Sequence, residues 1–164
     1  MKQTIFVLSL LAIVSCKENK QQETAEQPPI VEKHTDGMHE HSLDSIATVF
    51  DDAWLTEIQL NDGARWDANM ETTEGVLKMQ QLLKSQTTTS IEDYNGLAER
   101  LNAAKNTVVA KCTMKGPSHN NLHVWLVPLI EKIDLLLKTE SIEEASRIKN
   151  SIAQSLEAYN NYFQ

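Results

Sequence analysis

Four consecutive runs carry apolar residues at three- and four-residue spacing, each bounded by a start or stop signal. That pattern leaves the chain little to fold into except packed helices. From about Asn69 to Lys84, Val76, Met79, Gln80 and Leu83 share one face, with Leu82 at its flank and Thr72 or Thr73 near the start. The polar segment 85–90 then reads as a loop. Ser90 opens the second run as an N-cap, with acidic Glu92 and Asp93 in the first turn. Its stripe is Ile91, Tyr94, Leu97, Leu101, Val108 and Cys112, and Gly116-Pro117 stops it. The third run starts at Ser118 and carries Leu122, Leu126, Leu129, Ile130, Ile133 and Leu137. Pro128 lies inside it, predicting a kink and a Val124 carbonyl without its usual partner. The fourth opens with Ser141-Ile142-Glu143-Glu144, a capping-box pattern. Its stripe is Ile142, Ala145, Ile148, Ile152, Leu156, Tyr159 and Phe163.

The expected architecture is all-α: an antiparallel up-and-down four-helix bundle over residues 42–164, preceded by a disordered tether. A short leading helix is expected over Ser42–Leu55, where Leu43, Ile46, Phe50 and Trp54 keep helical spacing. Residues 56–66 read as an irregular or extended connector around an Asn61-Asp62-Gly63 turn, with Trp66 capping the core. The 41% hydrophobic content suffices for a core. The net charge of −8, with no Lys/Arg stripe, repels phosphate backbones and argues against nucleic-acid binding.

The amino terminus reads as an address. Lys2 precedes an apolar run from Ile5 to Val14, too short for a permanent transmembrane helix but suited to a signal peptide over 1–15. Ile13-Val14-Ser15-Cys16 resembles the lipobox of bacterial lipoproteins. The resemblance implies cleavage before Cys16, a diacylglyceryl thioether on its sulfur and acylation of the new amino terminus. The mature chain would then be membrane-anchored by lipid, palmitate among its acyl chains. Lys17 after the cysteine implies an outer-membrane destination in a diderm bacterium, the domain facing the periplasm or the cell surface. The following residues, 16–41, are polar, charged and Pro-interrupted, so they bury too little to order themselves. Near the tether's end His34, Met38, His39 and His41 form a tract able to collect metal.

The segment with most chemistry is Cys112–His123, CTMKGPSHNNLH. It gathers a thiol (Cys112), a thioether (Met114) and two imidazoles (His119, His123), side chains that suit soft or borderline metals. With Cys16 lipidated, Cys112 is the one free thiol of an extracytoplasmic chain. On a helical wheel His119 and His123 fall together beside Leu126, Ile130 and Leu137, which places both on the apolar face at the end of the bundle. A tight corner would bring Cys112 and Met114 to them. Copper is the first expectation and zinc, which rarely takes Met, the second. Haem is disfavoured: C-x-x-C-H is absent, aromatics are few, and no arginines are evident for its propionates. No group orients a Cys–His nucleophile and no Glu-x-x-His pair exists, so the chain reads as a non-enzyme.

The pattern C-T-M-x-G-x-x-H-x-x-L-H, with the N-D-G-x-x-W turn before the first long helix, resembles a group of small uncharacterised helical bacterial lipoproteins over about residues 54–137. The resemblance implies the architecture and assigns no activity. Two readings remain open: a lipid-anchored, periplasm-facing metal-binding bundle, or a structural or interaction lipoprotein whose Cys/His motif only locks a helix corner.

Overall fold

The computed structural model describes residue 50 and residues 52–164. The signal peptide, Cys16, the tether with His34, Met38, His39 and His41, and most of the expected leading helix lie outside the described residues. Five helices follow in order: α1 (Trp54–Glu57), α2 (Met70–Ser85), α3 (Ile91–Lys111), α4 (Gly116–Leu136) and α5 (Ile142–Tyr162).

The starts of the long helices follow local hydrogen-bond chemistry. At α3 the Ser90 hydroxyl accepts from the Asp93 backbone N–H (3.3 Å), and the Asp93 carboxylate accepts from the backbone of Ser90 (3.0 Å) and Thr89 (2.9 Å). Two helix-start donors are thereby satisfied reciprocally. At α5 only half of the expected box forms. Ser141 accepts from the Glu144 N–H at 3.3 Å, while the Glu144 carboxylate accepts instead from the Thr139 hydroxyl at 2.6 Å. At α4 the helix begins two residues before Ser118. Gly116 adopts φ +63°, a value that favours glycine, and Pro117 occupies the first turn, where its missing N–H costs nothing. Gly-Pro thus opens α4 as well as separating it from α3.

Helices α2, α3, α4 and α5 pack each on the next, and α2 meets α5 to close the ring; α1 lies on α4. The bundle is all-α, antiparallel and up-and-down. Its centre is Val76 and Met79 from α2, Leu97, Leu101 and Val108 from α3, Leu122, Trp125, Leu129 and Ile133 from α4, and Ile148, Ile152, Leu156 and Tyr159 from α5. Each buried aliphatic side chain contributes roughly 1.5–3 kcal/mol. The α5 stripe is buried from Ala145 to Phe163, but Ile142 is half-exposed, because the first turn projects past the end of the core.

Between α1 and α2, Asn61 and Ala64 exchange two backbone bonds of 2.9 Å around Asp62 (φ +50°) and Gly63 (φ +87°). Trp66 then pairs with the chain's end, its N–H donating to Tyr162 O (2.7 Å) and its carbonyl accepting from Gln164 N (3.0 Å). Its indole is partly buried against the core and donates to Gln59 O at 2.6 Å. Every core side chain described lies between Trp54 and Phe163, so a chain beginning at residue 42 retains this whole core.

Candidate metal centre

Helix α4 positions the two histidines, and its orientation is set by residues beyond the aliphatic stripe. Leu122, Trp125, Leu126, Leu129, Lys132, Ile133 and Leu136 are its buried positions. At about 100° per residue their mean direction lies about 80° from His119 and about 120° from His123. Both imidazoles therefore sit at or beyond the edge of the packed face, His119 half-buried and His123 exposed. This corrects the expectation that both project from the apolar face into the bundle's end. The difference arises because Trp125 and Lys132 are inside. The Trp125 indole donates to Ser155 O at 2.7 Å, and the fully buried Lys132 amine reaches Ser155 Oγ at 2.9 Å.

The histidines themselves meet. Their Nε2 atoms are 3.1 Å apart, with ring centroids separated by 4.5 Å and planes at 76°. One successive turn of helix puts i and i+4 side chains above one another, which creates this approach. Without a cation the contact is an N–H···N hydrogen bond, with one Nε2 protonated and the other accepting. A bound cation would replace that proton. Two metal–nitrogen bonds of about 2.05 Å closing on this separation subtend roughly 100°. That angle lies between the square arrangement of Cu(II) and the tetrahedron of zinc.

Cys112 does not form a three-ligand group with them. Cys112 is the C-cap of α3 and, like Met114, is partly buried against the core. The Tyr159 phenol of α5 lies 3.2 Å from the Thr73 hydroxyl of α2. Burial pushes that phenol above its ordinary value, the Thr73 hydroxyl pulls it down, and nearby Cys112 raises it again. His123 lines a surface pocket on the α1 side of α4. No group of three or more His, Cys, Asp or Glu side chains able to hold a metal ion occurs among the described residues. The expected Cys112/His119/His123 set is therefore not assembled; Met114, the expected auxiliary ligand, lies partly buried against the core. A thiol ending one helix and an imidazole inside the next can share a corner in sequence and still face different neighbours.

The corner between α3 and α4 is held by polar side chains from outside it. The Asn69 side chain donates to Lys111 O (3.1 Å) and accepts from Thr113 N (3.4 Å) and the Thr72 hydroxyl (2.7 Å). Asn121 donates to Pro117 O (3.0 Å) and accepts from Gln59 N (2.8 Å). These bonds fix the first turn of α4 relative to α1 and α2, and so hold the turn that carries His119.

The pocket beside His123 has a volume of about 280 Å³ and is lined by Ala53, Trp54, Glu57, Val124, Val127, Pro128 and Glu131. Glu57, Glu131 and Trp54 were not among the site residues expected from the sequence. The folding of α1 onto α4 brings them together, and no local spacing signals it. Among the described residues, no helix is long and apolar enough to cross a membrane. No family model, no curated protein and no solved structure matches this chain.

Proposed function

We propose that this chain is a lipid-anchored, periplasm-facing helical protein that binds a transition metal at His119 and His123, copper first and zinc second. The carrying observation is the 3.1 Å separation of the two Nε2 atoms, short enough for both to bind one ion. Nitrogen-only donation moves the copper preference from Cu(I) towards Cu(II), because thiolate and thioether ligands favour the reduced ion. Cu(II) exceeds zinc at a site of given nitrogens, which orders the two metals. The positive end of the α4 dipole opposes a cation, and Glu57 and Glu131 beside His123 offset part of that repulsion. Anchorage by Cys16 rests on the lipobox resemblance, and the described helices are compatible with it.

A second reading, a structural or interaction lipoprotein without metal, is favoured by the Asn69 bonds that lock the corner independently of any ion. Competition titration of residues 42–164 with Cu²⁺ and Zn²⁺ separates the two. Micromolar or tighter binding, weakened at least tenfold by His119→Ala or His123→Ala, is expected for the metal site. Equal binding by the parent and a Cys112→Ser/His119→Ala double variant would remove the assignment, and no binding would leave the second reading.

A further inference from the structure

We infer that a second copy of this chain completes the metal's coordination, so that one divalent transition ion bridges two α4 helices through four imidazoles. The inference rests on the metal-binding reading above. A tetrahedral or square ion takes four donors, and one chain presents two at this place. Because both nitrogens approach the ion within roughly 100°, the opposite half of its coordination sphere faces outward, away from α4. His123 is exposed there, and so is Val127 (46%), an apolar residue of α4 that lines the same pocket. A twofold axis through the ion sets the same patch of each copy against the other, an isologous contact in which each supplies the identical pair. The flanking carboxylates decide the metal dependence. Glu57 and Glu131 of two copies repel one another across such a contact. The ion's double charge offsets that repulsion, so the faces associate with metal and separate without it.

Sedimentation velocity on residues 42–164 tests the bridge, since this span retains the described core and omits His34, His39, His41 and Cys16. Zn²⁺ at half an equivalent per chain is expected to double the mass, EDTA to restore the monomer, and His119→Ala or His123→Ala to abolish the change. EDTA reversal also distinguishes the bridge from a Cys112 disulfide. Val127→Glu adds a carboxylate to the face without touching a ligand, so it is expected to weaken dimerisation at least tenfold while each chain still binds zinc. A chain that binds one zinc and stays monomeric would overturn the bridge and leave the metal site intact. A protein that binds no zinc would overturn both. A dimer that persists in EDTA, or in both histidine variants, would show that the ion does not hold the copies together.

Discussion

Lys132 is the residue whose position most affects how the surface of α4 is presented. Its side chain is fully buried, with Nζ 2.9 Å from Ser155 Oγ and 3.3 Å from Asp52 Oδ1; the Asp52 carboxylate is itself half-exposed. The Trp54 indole also donates to that oxygen at 3.3 Å, so one carboxylate serves α1 and α4 together. A buried amine left without its counter-charge is costly, whereas an apolar side chain of similar length needs no partner. Asp52→Ala is therefore expected to destabilise by about 1–3 kcal/mol, and Lys132→Met to fall within about 1 kcal/mol of the parent, in urea unfolding. Equal large losses for both would mean that Lys132 acts through packing of its stem and not through the ion pair. A stripe drawn without Trp125, Lys132 and Leu136 turns the face of α4 towards the histidines, because a lysine in the middle of a helix ordinarily reads as solvated.

At the scale of helices, α2 and α3 approach closely where Gly75 meets Val108, and the absence of a side chain at Gly75 permits it. A Cβ at Gly75 would collide with the Val108 side chain. Alanine is the better helix former by about 1 kcal/mol, but overpacking a core costs about 1–3 kcal/mol. Gly75→Ala is expected to be net destabilising by up to about 2 kcal/mol in urea unfolding, with much of the loss recovered in Gly75→Ala/Val108→Ala. A stabilised single variant would show that the helices part easily. At the start of α3, the backbone N–H groups of Thr89 and Ser90 hold the Asp93 carboxylate below its ordinary range. A depressed folded value means stability that is present above the unfolded value and lost as pH falls through the folded one. Acid titration followed by circular dichroism should show the stability gap between parent and Asp93→Asn closing below about pH 4. A gap that stays constant through that range would place the effect in the Ser90 hydroxyl instead. Helix starts of this kind were legible residue by residue, because Ser90 and Asp93 act on backbone within three positions of themselves. Helix α4 was less so. Val124, Val127, Ile130 and Leu137 are apolar too, so apolar spacing alone does not choose its inner face; contact with Ser155 and Asp52 does.

The four long helices are closed where the segments flanking them meet. The backbone bonds joining Trp66 to Tyr162 and Gln164 tie the segment before α2 to the segment after α5, and Phe163, buried to 1% exposure, stacks on Tyr159 at 4.9 Å between ring centroids. Phe163→Ala should cost about 3–5 kcal/mol, read as a lowered urea midpoint. A loss below about 1 kcal/mol would show that the terminus frays without consequence. The four-helix architecture could be read from the stripes because each stripe is a local pattern. The Trp66–Phe163 pairing, the α1–α4 pocket and the separation of Cys112 from the histidines could not, since each joins positions distant in sequence or depends on how one helix is turned against another. Of the Cys and His donors singled out between 112 and 123, the fold brings together only the two imidazoles spaced by one helical turn. The most direct measurement of their proposed role is NMR of the imidazole nitrogens during Zn²⁺ titration of residues 42–164. The expected result is that Nε2 of His119 and Nε2 of His123 shift together at a single metal ratio while Nδ1 of each ring and the Cys112 Cβ stay in place. Independent titration of the two rings, coordination through Nδ1, or a shift at Cys112 instead would contradict the paired site.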